Sequence, residues 1–325
     1  MGSVMLQNCV NANTMDLVAT LRSKIDKLPE GEHSAGLEAV SSHIETAFGH
    51  LSRGQRDGDD TAFTDVIYRT NQAFEGSIKE AYRVLAGNDP SRQRPFDIEN
   101  YLESNGVFRE RVLAQFTNYR TEWRNPSTHD YKLDFDESEA FLAIVSVSAF
   151  ACVLIDQVAS KLAYNAAVEE TATKKDELKQ NFRSDDVSLM DLAIELFKEF
   201  HCQHGPDSGI QTEIQLMGAL TGFISSLVPS VESTLDYPLR GDTHERADLM
   251  LSTNDDKVVV ELKRTYSPRA ASDGLLTLQR YMAMAGLTNG ILFLYSPTGG
   301  EVVAEEQKLP DGTGRIVIVR PKNTA

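Results

Sequence analysis

The chain has 325 residues, 41% hydrophobic and 25% charged, with a formal net charge of −16 from 32 Lys+Arg against 48 Asp+Glu. That length points to two domains, and the composition excludes a disordered, collagen-like or fibrous chain. The acidic balance excludes a whole-molecule basic footprint for nucleic acid. Residues 206–325, however, carry 11 Lys+Arg against 15 Asp+Glu, so most of the acidity lies upstream. Cys9, Cys152 and Cys202 are far apart and form no CxxC, which argues against a disulfide framework or a zinc knuckle. No uninterrupted apolar run approaches 18 residues and the first residues lack a signal-peptide pattern, so the expectation is a cytoplasmic protein with no membrane partner.

In chain order, apolar residues recurring at three- and four-residue steps predict helices over 15–28, 34–52, 60–87, 97–124 and 137–165. The fourth should stop near Arg124, because Pro126 disfavours helix at Asn125. Arg124, Asn125 and His129 would then lie on a tight loop before the apolar fifth helix. Residues 166–184 read as a solvated connecting helix or linker, 187–201 as a short amphipathic helix and 202–208 as a loop. Beyond that the pattern changes. A helix through Ile214 and Leu227 precedes period-two strands over 247–251, 258–263, 290–295 and 315–319, with a helix through Leu275 and Met284 between the second and third strands. This order predicts an all-α N-terminal bundle followed by an α/β sandwich around a mixed sheet.

The hairpin carries the chemistry. With its turn centred between Asn254 and Asp255, Leu249 opposes Val260, Met250 opposes Val259 and Asp248 opposes Glu261. Opposed Cβ atoms lie roughly 4.5–5.5 Å apart, and like charges so placed repel. Lys263 shares the face of Glu261, while Leu249, Leu251, Val258, Val260 and Leu262 form a core face. A bare Asp…Glu-x-Lys pattern is ordinarily a solvated edge hairpin, but the Val258-Val259-Val260 run argues for a buried strand. A divalent cation with oxygen ligands would resolve the carboxylate conflict, with Lys263 orienting or activating a water.

These elements resemble the PD-(D/E)XK, or restriction-endonuclease-like, nuclease superfamily over about residues 209–320. The resemblance implies that Asp248 and Glu261 hold Mg²⁺, with Mn²⁺ a substitute, and that Lys263 positions the attacking water. It further implies that Glu213 on the preceding helix supports the metal shell and that Gln279 on the following helix orients water or a phosphate-side group. Ala247 stands where the family motif has proline. Arg246, Arg264, Arg269 and Arg280 are candidates for a phosphate path.

Arg124-Asn125…His129 resembles the Arg-x4–6-His signature of the HEPN superfamily, over roughly residues 60–165. In a metal-independent RNase of that kind His129 would be the general acid or base, Arg124 would stabilise phosphorane charge and Asn125 would orient one of them. The organisation expected is a HEPN-like bundle over 1–168, a charged helical linker over 169–205 and a nuclease domain over 206–325. The function expected is Mg²⁺-dependent hydrolysis of nucleic acid, DNA ahead of RNA, by a homodimer paired through its helical domain, in bacterial defence against phage or plasmids. The alternatives are an RNase using Arg124 and His129, and a non-catalytic dimeric binding protein.

Overall fold

The structure, a computed structural model, describes residues 16–129, 134–180, 182, 187–205, 208–239, 245–265, 267–308 and 314–322, excepting the side chains of 129, 176, 179, 180 and 308. It divides into two compact units, Met1–Val158 and Ala159–Ala325.

The first unit is helical: α1 (Leu17–Ile25), α2 (Ser34–Asp57), α3 (Thr61–Val84), α4 (Pro95–Ser104), α5 (Glu110–Tyr119), α6 (Asn125–His129) and the start of α7 (Glu137–Gln180). The Asp16 carboxylate caps α1 by accepting the Val18 and Ala19 amides. Gly58, at φ 66°, ends α2 and lets the chain turn back into α3. At the centre of the core Phe74 of α3 stacks on Phe116 and Tyr119 of α5, with centroids 5.6 and 4.8 Å away, and meets Phe150 of α7 at 5.3 Å. Each such ring buries apolar surface that contributes about 1.5–3 kcal/mol. Among the described residues α7 alone is long and apolar enough to cross a membrane by length and composition, and half of that stretch is buried against protein. Ile144, Val147, Phe150, Leu154 and Val158 form its core-facing side, while Phe141 and Leu142 stay exposed.

The single helix expected over 97–124 is broken. The Gly106 amide bonds the Glu103 carbonyl and the Val107 amide reaches the Leu102 carbonyl, with Gly106 at φ 60°. This pair of bonds closes α4 with a glycine in the left-handed region, a stop signal already written in Ser104-Asn105-Gly106. The second difference lies at Pro126. The helix does not end at Arg124; it widens into a π turn over Arg120–Arg124 and continues as α6. Pro126 has no N–H to offer the carbonyl four residues earlier, so the pitch changes instead, and the Asn125 amide bonds the Arg120 carbonyl five residues back. The Ser127 and Thr128 hydroxyls then satisfy the Arg124 carbonyl at 3.0 and 2.8 Å. Arg124 and Asn125 therefore sit on helical backbone, not on a tight loop.

The second unit contains the end of α7, α8 (Leu189–Gln203), α9 (Glu213–Leu227), β1 (Glu232–Pro238), β2 (Arg246–Ser252), β3 (Lys257–Lys263), α10 (Pro268–Ala285), β4 (Asn289–Leu294), β5 (Val302–Lys308) and β6 (Arg315–Pro321). The six-stranded sheet has the order β1-β2-β3-β4-β6-β5. β1, β2 and β3 form an antiparallel meander, β3 crosses through α10 to the parallel neighbour β4, and β6 adds in parallel before β5 closes the edge antiparallel. One core joins α8, α9 and the end of α7 to one side of the sheet through Leu216, Leu220, Phe197, Leu249, Val260 and Phe293. The other joins α10 to the opposite side through Leu278, Met282, Met250, Val259 and Leu292. The stretch 169–205 is thus no simple spacer, since Leu178, Leu196, Phe197 and Phe200 are buried in the first of these cores.

Two glycines bring α7 and α9 together. A Cβ on Gly218 would lie 2.1 Å from the Ser160 carbonyl oxygen, and one on Gly222 would lie 2.4 Å from that of Tyr164. The expected α/β order omitted β1 and β5, the two edge strands. β1 (ESTLDYP) has no alternating apolar face, and its residues are half-buried or exposed. β5 ends in Glu305-Glu306-Gln307, whose side chains are exposed.

Candidate active site

The hairpin register is the expected one: Leu249 pairs with Val260, Met250 with Val259, Leu251 with Val258 and Ser252 with Lys257. The ladder stops there, one step short of Asp248 and Glu261. The Leu262 amide instead donates to Asp248 Oδ2 at 2.8 Å. On the other side β1 and β2 pair at Leu235–Leu249 and Tyr237–Ala247 but skip the level of Asp248, where Asp236 stands at φ 52°. Asp248 therefore lies at a gap in both ladders, at the edge of the sheet where β3 ends.

Glu213 is the first residue of α9. Thr212 caps that helix, accepting the Gln215 amide, while Gln215 Oε1 accepts the Thr212 amide in return. A carboxylate in the first turn also suits the helix dipole. Arg264 ties this start to the end of β3. Its backbone amide bonds the Glu213 carboxylate, and its Nε donates to the Ile210 carbonyl at 2.9 Å.

These placements bring three carboxylates around one ammonium. Lys263 Nζ lies 2.7 Å from Glu261 Oε1, 3.6 Å from Glu213 Oε1 and 3.9 Å from Asp248 Oδ2, and it donates to the Leu262 carbonyl at 2.9 Å. Glu261 is 3% exposed, and its Oε2 has no hydrogen-bond donor. Burial first, then the charge of Asp248, push the Glu261 carboxyl up to about 7, with a proton shared toward Asp248 adding to the rise and Lys263 opposing it. Burial likewise raises the Glu213 carboxyl against the pull of Lys263. Burial works against the Lys263 ammonium, but Glu261, Asp248 and Glu213 outweigh it and leave its pKa raised. Lys263 is thus a fixed cation at neutral pH, able to orient a water or a phosphate oxygen but not to accept a proton.

Asp248, Glu261, Lys263 and Glu213 are therefore assembled as expected. Gln279 is half-buried on α10 and makes no hydrogen bond to this cluster among the described residues. Tyr281, also on α10, is buried, its phenol raised by burial and then by the charges of Glu261 and Asp248. Its signal was helical spacing, since Tyr281 lies three residues after Leu278 on the buried face of α10 and Gln279 does not. The expected phosphate path is largely engaged elsewhere. Arg246 Nε bonds the Asp236 carbonyl at 3.0 Å, Arg280 pairs with Glu245 at 3.2 Å, and Arg269 pairs with Asp273 on the surface.

Among the described residues no group of three or more His, Cys, Asp or Glu is arranged to hold a metal by itself. The arrangement does suit Mg²⁺, which usually takes one or two carboxylates and keeps waters and phosphate oxygens for the rest. Asp248 and the buried Glu261 supply two such oxygens, and a cation between them would relieve the repulsion that raises the Glu261 carboxyl.

In the helical unit Arg124 points inward. Its Nη2 lies 3.5 Å from Glu99 Oε1, Nη1 bonds Asn125 Oδ1 at 3.1 Å, and the Glu99 side chain is 3% exposed. Burial raises the Glu99 carboxyl, with Arg124 and Arg120 opposing. A chain of bonds from Tyr119 through Asn71 to Ser127 fixes α6 against α3. His129 ends α6, and its side chain lies outside the described residues. No family model matches the chain, and no curated protein or solved structure matches it either.

Proposed function

We propose that the second unit is a Mg²⁺-dependent nuclease of the PD-(D/E)XK type that hydrolyses DNA phosphodiesters. The observation that carries this reading is the convergence of Asp248, Glu261 and Glu213 on Lys263, at the edge of the sheet where β3 ends. The path α9-β1-β2-β3-α10-β4, with an acid on β2 and Glu-x-Lys on β3, supports the same family assignment.

Asp248 and Glu261 would hold the metal, which when bound would polarise the scissile phosphate and lower the pKa of a water. Lys263 stays charged, orients that water for in-line attack on phosphorus and offers a hydrogen bond to a phosphoryl oxygen. Glu213, held at the N-terminus of α9, adds a third carboxylate 3.6 Å from the ammonium. Tyr281 packs in the apolar core on the α10 side of the sheet, close enough to feel the charges of Glu261 and Asp248.

The inward pairing of Arg124 with Glu99 favours this site over Arg124 and His129 as the seat of chemistry. By family resemblance alone, the setting we propose is defence against invading DNA, with the helical unit pairing two copies.

Cleavage of DNA and RNA with and without EDTA tests the reading. Glu261→Gln should abolish an EDTA-sensitive DNA cleavage that His129→Ala leaves intact. EDTA-resistant RNA cleavage lost in His129→Ala would transfer the chemistry to the helical unit.

A further inference from the structure

A cavity of about 630 Å³ is lined in part by Arg264, the residue that follows Lys263 of the cluster. It lies where the parallel strands β3, β4 and β6 end, the edge at which open α/β sheets bind ligands. Arg264 enters it directly after Lys263, the Ser296–Glu301 loop follows β4, and Lys322 follows β6.

Three features of its wall suit an anion. First, Arg264 and Lys322 outnumber the single carboxylate, Glu301, whose two oxygens lie 3.0 Å from Lys322 Nζ. The wall is thus locally cationic on a chain of net charge −16. Second, the Ser296 and Thr298 hydroxyls bond each other at 2.7 Å, and the Gly299 amide bonds the Ser296 carbonyl at 3.2 Å, so a turn holds two polar side chains at the cavity. Third, Gly299 and Gly300 follow at φ 72° and 117°. A Cβ on Gly300 would meet nothing within 4 Å. Glycine is required there by the backbone angle, not by packing, and it leaves bare main chain facing open space.

We propose that this cavity is the subsite for the DNA phosphate adjoining the one cleaved. The proposal rests on the nuclease reading above and extends it. Lys263 and Arg264 are consecutive in the chain, so one strand can place one phosphate at the Lys263 ammonium and its neighbour in the cavity. Lys322, paired with Glu301, supplies one charge, and Arg264, anchored to Ile210, supplies the other.

The test separates binding from cleavage. Binding of a short single-stranded DNA oligomer is measured by anisotropy in EDTA over a range of salt concentrations. Cleavage of the oligomer and of a dinucleoside monophosphate, which has a single phosphodiester, is measured with Mg²⁺. Lys322→Ala should weaken oligomer binding about fivefold and lower the salt slope by about 1. It should raise KM for the oligomer with kcat unchanged, and leave the dinucleoside monophosphate unaffected. Thr298→Glu, at an exposed position, should weaken the oligomer likewise. Oligomer binding unchanged in both variants would overturn the subsite while leaving Mg²⁺-dependent cleavage and the nuclease reading in place. Weakened binding in a protein that never cleaves would keep the phosphate subsite and discard the nuclease reading.

Discussion

On the proposed reading, Lys263→Met should reduce Mg²⁺-dependent DNA cleavage by about 10²–10⁴-fold, because it removes the ammonium proposed to orient water and phosphate beside Asp248 and Glu261. The substitution should also cost stability, and with a defined pH dependence. The ammonium lies within 4 Å of three carboxylates, and removing one partner of a buried ion pair costs about 3 kcal/mol. The sign follows from Glu261, whose carboxyl sits at about 7 against an ordinary 4.5. A carboxyl raised on folding contributes stability that is fully present below its unfolded value and is lost as pH rises through its folded value. Without Lys263 the Glu261 carboxyl moves higher still. The deficit of the variant should therefore be small near pH 5, where Glu261 is protonated, and largest near pH 8, where an unpaired charge would be buried. Added Mg²⁺ should restore part of it. Urea unfolding at the two pH values, with and without Mg²⁺, measures all three. A deficit independent of pH would place Lys263 outside the cluster.

The second large effect concerns the fold. Gly218→Val should destabilise the second unit by about 3 kcal/mol or more, since the new side chain meets backbone, not a movable side chain. Its Cβ would stand 2.1 Å from the Ser160 carbonyl oxygen, so α9 has to move away from α7. Because Glu213 begins α9, that movement also displaces a carboxylate from Lys263, and cleavage should fall with stability. Gly49 in α2 is the control. A Cβ there meets nothing within 4 Å, so Gly49→Ala should raise stability by about 0.5–1 kcal/mol through helix propensity alone. Equal effects at the two positions would contradict the close approach of α7 and α9.

The hairpin was legible because two independent signals agreed. The apolar alternation of Leu249 and Leu251 against Val258 and Val260 assigns the faces, and the polar Asn254-Asp255 turn assigns the register. A one-residue slip would expose every one of those side chains. Edge strands carry no such constraint. β1 and β5 bury little, so Glu232–Pro238 and Val302–Lys308 carry no strand pattern, although β5 pairs with β6 along its length and β1 pairs with β2 everywhere but at Asp236. The break at Asn105-Gly106 was present in the residue types but was overridden by a long apolar period. Pro126 reads as a stop because proline disfavours helix at the residue before it, yet Asn125 is helical at φ −67° and ψ −48° and follows a π turn. In the candidate site, Asp248, Glu261 and Lys263 follow from strand periodicity. Glu213 depends on where α9 starts, which the Thr212…Gln215 capping pair marks. Gln279 came from the family resemblance alone, whereas helical spacing places Tyr281 on the buried face of α10 with Leu278.

The most direct test of the central claim is calorimetric titration of Mn²⁺ or Mg²⁺ into the full chain, in buffers of different protonation enthalpy, at pH values spanning 6 to 8. The account predicts one site per chain whose affinity rises with pH through about 7, with about one proton displaced from the Asp248–Glu261 pair below that pH and progressively less above it. Glu261→Gln and Asp248→Asn should each remove the site. No divalent-ion uptake at any pH, or uptake indifferent to both substitutions, would contradict it.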